Sequence, residues 1–256
     1  TCISAMETCN AVNHQAALGS VPRSVADPVT THAHNATGTL NIFHAAQKLG
    51  VKRVVYASSS STYGDEATLP KIESKIGLPL SPYAVTKRIS EMYSIVFSAL
   101  HGMEIIGLRY FNIFGPRQDP EGMYAAVIPK FTSLILNGER SQIHGDGEQS
   151  RDFTHISNAV SANLNALFSK NQEAFGKVFN IACGHRISIN KLYELIHSII
   201  IKDHSGIQSI EPMHVESRPG DVKHSLADIK LAEELLDYSP EIGVEEGLIS
   251  TVRSFY

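Results

Sequence analysis

Short β-branched runs alternate with longer stretches of helical period along this chain. Val51 to Ala57 (VKRVVYA) is a compact apolar run of the kind buried in a parallel sheet. The stretch before it, about Pro28 to Leu49, reads as a long helix closed by Gly50 in the C′ position. A polar loop follows, up to Ser81. SPYAVTKRISEMYSIVFSALHG then reads as a helix, with Ser81 as N-cap, Pro82 as first residue and Gly102 as stop. Met103 to Leu108 (MEIIGL) is the next strand. This β-α-β-α order predicts an α/β fold with a doubly wound parallel sheet.

The second half is mixed. SQIHGDGEQSRDFTHI reads as two short strands around the GDG turn, and SNAVSANLNALF as a helix. KVFNIA is a strand, and Ser188 caps a helix over INKLYELIHSIII. ADIKLAEELL and VEEGLISTVRSFY are two further helices. The pattern suggests a smaller lobe packed over one edge of the sheet, with no internal repeat.

Composition narrows the function classes. With 256 residues and 43% hydrophobic content the chain can bury a substantial core. A net charge of -4 and no Lys/Arg run argue against a nucleic-acid binder. Cys2, Cys9 and Cys183 are an odd set with no Cys-x-x-Cys pair, which speaks against a disulfide framework or zinc knuckle and suits a reducing, cytoplasmic compartment. No stretch approaches the roughly 18 apolar residues of a membrane span. The 12 histidines show no metal spacing supported by acids, and His32 and His34 are too close for one helical face. No metal and no membrane partner are expected.

Chemistry concentrates in two places. ASSSSTYGD (Ala57 to Asp65) sets four serines at the end of an apolar run, where doubly wound folds bind ligands. Tyr83 and Lys87 lie four apart on one helix face. A phenol near pKa 10 is a poor base at neutral pH. A nearby ammonium, the positive end of the helix dipole and a cationic ligand such as oxidised nicotinamide can each lower it. Tyr-x-x-x-Lys alone is common by chance and usually structural; the upstream serines give the pair its meaning.

YASSSSTYGD, SPYAVTK, LRYFNIFGPRQ, RDFTHI and RPGDVKHSLADI together resemble the extended short-chain dehydrogenase/reductase family, from about Asn13 to the C-terminus. Within it the chain is most similar to sugar-nucleotide 4-epimerases, above all bacterial UDP-N-acetylglucosamine 4-epimerases. The resemblance implies a Rossmann-like fold, NAD as cofactor, a UDP-sugar substrate and a role in polysaccharide biosynthesis. It implies a homodimer formed through the helices around 28–49 and 82–101. Tyr83 resembles the catalytic base and Lys87 its partner on the nicotinamide ribose. Ser59 falls on the catalytic serine, with Ser60 as runner-up; Ser58 and Ser61 read as loop formers. Asn35 falls on a cofactor contact, and Ala16, Ala17 and Leu18 on the strand-end segment along the dinucleotide. Tyr110 and Phe111 would wall the nicotinamide pocket. Gly19, Ser20 and Asn112 resemble substrate contacts near the sugar and diphosphate, and Ala126 and Val127 contacts near the nucleotide. Arg151 and Arg218 resemble clamps on the UDP phosphates, a task suited to the bidentate guanidinium; taken singly, either arginine reads as a surface ion pair. Residues 1–112 would be the remainder of the NAD-binding domain, and 113–256 mainly the UDP-sugar lobe, with some segments returning to the sheet.

The implied reaction is inversion at C4 through a 4-keto sugar, with Tyr83 taking the 4-hydroxyl proton through Ser59. Related dehydratases and decarboxylases place carboxylates just before the tyrosine that Tyr63 matches; here those positions are Ser60 and Ser61. Ser225, seven residues after Arg218, stands where a bulky tyrosine narrows glucose-only pockets. That favours UDP-GlcNAc/UDP-GalNAc or their uronic acids. No Gly-x-Gly-x-x-Gly or Gly-x-x-Gly-x-x-Gly turn occurs. At 30 or more residues per βαβ unit, roughly 80 residues of the family pattern would precede this chain. Two readings of different class follow: an NAD-dependent epimerase, or a catalytically dead fragment that serves at most as a dimerisation module. A sheet shortened in this way would expose an unpaired edge and favour aggregation.

Overall fold

The computed structural model describes residues 1–119, 126–208, 210–217 and 223–256. It divides into two compact units. The first comprises Thr1–Phe111, Ala159–Ile181 and Asp228–Ser239, and the second Asn112–Asn158, Ala182–Ala227 and Pro240–Tyr256. No helix among the described residues is long and apolar enough to cross a membrane.

The first unit is built on a four-stranded parallel sheet in the order Ala11–His14, Arg53–Ser59, Glu104–Tyr110, Val178–Ile181. Successive side chains leave the sheet on opposite faces. Val54, Tyr56 and Ile105 pack with Phe43, Ala46 and Met103 on one face, whereas Val55, Ile106 and Leu108 pack with Ala162, Phe179 and Leu236 on the other. Both faces are covered, which explains the nearly continuous apolar runs. Gly107 is required by close approach: a Cβ there would lie 2.6 Å from the Tyr56 hydroxyl.

The sequence pattern differs from the structure at two informative places. The central strand runs two residues past the apolar run, because Ser58 and Ser59 still pair with Arg109 and Tyr110. The expected 28–49 helix is continuous in path but changes pitch. It runs as α-helix over Pro28–His32, as a π turn over Ala33–Thr37, and as α-helix again over Gly38–Leu49, ending at Gly50 with φ 69°. The Ala11–His14 strand is short and carries the polar Asn13, so it leaves little periodic signal.

The Pro82–His101 helix starts as expected, with the Ser81 hydroxyl accepting from Ala84 N at 3.2 Å, and stops at Gly102 with φ 61°. Its buried stripe is mostly small or polar: Ala84, Thr86, Lys87, Ser90, Glu91 and Ser94. Glu91 pairs with Arg109 of the neighbouring strand through Nε to Oε1 at 2.8 Å and a terminal guanidinium nitrogen to Oε2 at 2.9 Å. Both side chains are almost wholly shielded, 0% and 2% exposed.

Among its described residues the second unit holds three short strand pairs. Gln142–His144 runs parallel to Met213–Val215, Ile113–Phe114 parallel to Thr154–His155, and Ser150–Arg151 antiparallel to Ile187–Ser188. The two strands around the GDG turn thus form, but each pairs elsewhere. Phe114, Phe131, Phe153, Leu192, Ile196 and Leu248 form the core. Ser188 caps the Ile189–Asp203 helix as expected, accepting from Lys191 N at 3.1 Å.

Removing one partner of a buried pair leaves an uncompensated charge. Glu91→Ala should therefore lower the unfolding free energy by about 3–5 kcal/mol, whereas the double replacement Glu91→Leu/Arg109→Met should cost far less. Urea melts of the two variants would show it; equal losses would mean that the pair is not electrostatically closed.

Candidate active site

At the carboxyl end of the Arg53–Ser59 strand the chain turns sharply into a 3₁₀ turn over Ser60–Tyr63. The Ser59 hydroxyl caps this turn, accepting from Ser61 N at 3.2 Å and Ser61 Oγ at 2.9 Å. Ser61 is therefore a turn former, as expected, and Ser60 lies half-buried in the same turn. Ser58 is not a loop former. It is a buried strand residue whose hydroxyl donates to Glu91 Oε1 at 2.5 Å. Behind the turn, Tyr63 donates to Asn180 Oδ1 at 2.7 Å, and the Arg109 guanidinium lies 4.9 Å from its ring centre.

Tyr83 and Lys87 face this turn from the first two turns of the Pro82–His101 helix. The Lys87 ammonium donates to the Ala57 carbonyl at 2.8 Å and lies 5.9 Å from the Tyr83 ring centre. Burial lowers Lys87 to about 8, against the opposing pull of Glu91. Burial raises the Tyr83 phenol above the ordinary value, opposed in part by the neighbouring Ser59 hydroxyl.

The Ala16–Leu18 segment leaves the end of the Ala11–His14 strand, with Ala16 and Ala17 exposed. Asn35 clips Leu18 in both directions. Its Oδ1 accepts from Leu18 N at 2.7 Å and its Nδ2 donates to Leu18 O at 3.2 Å. The same Nδ2 donates to Thr86 Oγ1 at 3.2 Å, which ties the segment to the helix of Tyr83 and Lys87. Asn35 sits in the π turn, a local widening often found at functional positions. Gly19 is exposed, while Ser20 is buried and caps the Val21–Ala26 helix, accepting from Arg23 N at 3.2 Å. The Tyr110 hydroxyl donates to Gln15 Oε1 at 2.9 Å and accepts from Asn163 Nδ2 at 2.7 Å. Phe111 is fully buried against Tyr63, so only its backbone borders the strand tip.

The second unit gathers a separate group. Arg151 donates to Ser150 O at 3.0 Å and Lys223 O at 3.2 Å, and Ser225 N donates to Ser150 O at 3.0 Å. Arg151 and Ser225 therefore share one small ladder. Asn112 adopts φ 37° and donates from Nδ2 to Asp152 O at 3.2 Å. Ala126 is exposed, and Val127 opens the Val127–Leu136 helix while packing on the core. Arg218 lies outside the described residues.

Sequence reasoning missed three groups. Glu91 falls four residues after Lys87, a spacing that could have revealed it. Asp152 is buried within the quoted RDFTHI segment and accepts from the backbone N–H of Cys183, Gly184 and Ala227 at 3.0, 3.1 and 3.3 Å. Burial raises it to about 6 despite those bonds. His14 bonds Thr39 Oγ1 at 3.0 Å, and burial, with Lys87 adding to it, lowers the imidazole to about 4.

A family model described as the NAD dependent epimerase/dehydratase family matches residues 2–182. A solved UDP-N-acetylglucosamine 4-epimerase from Methanobrevibacter ruminantium, in complex with UDP-N-acetylmuramic acid, is 41% identical with a TM-score of 0.92, covering 99% of this chain and 79% of that one. A solved UDP-glucuronic acid 4-epimerase from Bacillus cereus, in complex with UDP-glucuronic acid and NAD, is 29% identical with a TM-score of 0.88, covering 100% of this chain and 79% of that one. A UDP-N-acetyl-alpha-D-glucosaminuronate decarboxylase of Bacillus cytotoxicus is 32% identical over 95% of this chain and 76% of its own length.

An unfolded imidazole titrates near 6.5 and the folded His14 near 4, so between these values the unfolded chain binds more protons. The His14 contribution is thus intact above about pH 6.5 and is lost on acidification toward 4. Asp152 opposes it in part of that window, so the comparison must be between variants. The Tm gap between His14→Asn and the parent should change in the variant's favour from pH 7 to pH 4.5; a gap constant with pH would refute a buried neutral His14.

Proposed function

The chain belongs to the NAD dependent epimerase/dehydratase family, and from that membership we propose that it inverts C4 of a UDP-sugar with NAD as cofactor. UDP-GlcNAc/UDP-GalNAc or the corresponding uronic acids are the proposed substrates. One observation carries the reading: Ser59, Tyr83 and Lys87 converge at the carboxyl end of a central parallel strand, with Lys87 anchored on Ala57 O and 5.9 Å from the Tyr83 ring centre. Ligands of open parallel sheets bind at such strand ends.

The donor set fits the reactive end of a dinucleotide. Lys87 spends one N–H on Ala57 O and has two more to offer a ribose, and Asn35 holds the Ala16–Leu18 backbone beside it. Tyr110 and the Phe111 backbone are proposed to border the ring. The sequence supplies no glycine-rich phosphate turn, so the fit concerns the nicotinamide–ribose end. NAD bound there supplies a hydride acceptor and donor, together with a positive charge. Ser59 orients the sugar 4-hydroxyl and passes its proton to Tyr83, and the same pair returns the proton after the 4-keto sugar has turned. The partial burial of Tyr83 keeps its phenol protonated until a cation adjoins it. Asn112, Arg151, Arg218 and Ser225, with Ala126 and Val127, are proposed to receive the UDP-sugar, and Gly19 and Ser20 to border the sugar. Ser225 leaves space for an N-acetyl group. Elimination or decarboxylation is disfavoured because the positions before Tyr63 are the hydroxyls Ser60 and Ser61, and hydroxyls are poor acids and bases for that task.

A homodimer is proposed as well. Met92, Val96 and Leu100 are exposed on the Pro82–His101 helix, and a groove of about 530 Å³ lined by Ala36, Leu40, Ile89 and Met92 runs beside it. A second copy would cover this apolar face. Met92→Glu should then shift sedimentation from dimer to monomer without loss of helicity; a parent chain that sediments as a monomer at micromolar concentration would contradict it.

The functional test is proton NMR of UDP-GlcNAc incubated with the full chain and NAD. Tyr83→Phe should lose at least about 100-fold in turnover while keeping its melting temperature. Equal turnover in the two proteins would remove Tyr83 from the reaction, and no turnover in the parent would favour the dimerisation-module reading.

A further inference from the structure

We propose that Glu91 is a positioning residue of the proton-transfer site: its buried carboxylate, one helical turn beyond Lys87, is the counter-charge for that ammonium and fixes it against the Ser59 turn. The inference rests on the reading of Ser59, Tyr83 and Lys87 given above.

Both carboxylate oxygens of Glu91 are fully used. Oε1 accepts from Ser58 Oγ at 2.5 Å and Arg109 Nε at 2.8 Å, and Oε2 accepts from an Arg109 nitrogen at 2.9 Å and from Arg88 at 2.9 Å. Burial alone would raise this carboxyl, yet the Arg109, Ser58 and Arg88 bonds win and hold it below the usual carboxylate range. Glu91 is therefore ionised at neutral pH. A buried ion pair is a poor way to gain stability, since packed apolar residues often do as well. Its position suggests another use. Ser58 precedes the capping Ser59, and Glu91 follows Lys87 on the helix, so one carboxylate links the strand that carries one hydroxyl to the helix that carries the other. In a site where an ångström of misplacement costs rate, such a link matters.

Among the described residues, Tyr83, Arg88 and Glu91 share the helix of Lys87, and His14 approaches from the neighbouring strand and is neutral. Around Glu91 lie Arg88 and Lys87 on its own helix, Arg109 on one strand and Tyr56 with Ser58 on another. Tyr56 stays protonated, because burial and the Glu91 charge both raise it. Glu91 is thus the group that opposes the desolvation of Lys87.

The test is NMR titration of lysine carbon-13 at Cε in the full chain without ligand, with the Lys87 resonance assigned by Lys87→Arg. The Lys87 midpoint should fall by about one pH unit in Glu91→Gln. Because that variant leaves Arg109 unpaired, Glu91→Gln/Arg109→Met is measured against Arg109→Met alone, from which its Lys87 midpoint should also fall, since that step removes only the Glu91 charge. Ser58→Ala loosens the strand link but keeps the charge, so its Lys87 midpoint should stay within about 0.3 unit of the parent. An unchanged midpoint in the folded Glu91 variants would overturn the proposal. So would a Ser58→Ala shift as large as that of Glu91→Gln, which would make packing the cause. Absence of epimerase turnover in the parent would count against the proposed function alone, since this titration needs no turnover.

Discussion

The Glu91–Arg109 pair is the constraint around which the first unit is organised. A helix whose buried stripe is Ala84, Thr86, Ser90 and Ser94 has little apolar surface with which to choose its register on a sheet. Small side chains allow close approach but many registers. The buried pair removes that freedom, because a slip of one residue would leave two desolvated charges apart. Once the register is set, Lys87 meets Ala57 O and Tyr83 meets the Ser59 turn. The same guanidinium lies over Tyr63, whose hydroxyl reaches Asn180 on the last strand of the sheet. Position is thus passed from charge to helix, to strand tip, to reactive hydroxyls.

A second theme is the cost of burial for the groups that would do chemistry. Lys87 is lowered, Tyr83 raised and His14 lowered, each for the same reason: the charged form loses water. The sequence alone suggested a tyrosine made acidic by its neighbours. The structure has a tyrosine held neutral by burial, a state that a cationic ligand beside it would change. Asp152 in the second unit follows the same logic, with three backbone donors offsetting part of its desolvation. It staples the Cys183–Gly184 loop and the Ala227 segment together.

Much of this was legible in sequence because its signals are local. Ser81, Pro82 and Gly102 delimit their helix by capping and backbone conformation. The β-branched runs mark the sheet, and the Tyr83–Lys87 spacing marks one helix face. What was not legible depends on contacts far apart in the chain. Ser58 looks like a loop residue until Glu91, 33 positions later, is seen to accept its proton donor. Asn35 looks like an ordinary helical residue until the helix widens to let it clip Leu18. The pairing of the strands around Gly145–Gly147 with distant partners carries no periodic trace at three residues or fewer.

The fate of the hydrogen at C4 tests the proposed chemistry most directly. UDP-GlcNAc bearing deuterium at C4 would be incubated with the full chain and NAD in ordinary water, and the UDP-GalNAc formed would be examined by mass spectrometry and NMR. Ser59 and Tyr83 placed to move an oxygen-bound proton predict that deuterium stays at C4 of the product. Replacement of that deuterium by solvent hydrogen would contradict this assignment, since the carbon would then have exchanged its hydrogen as a proton.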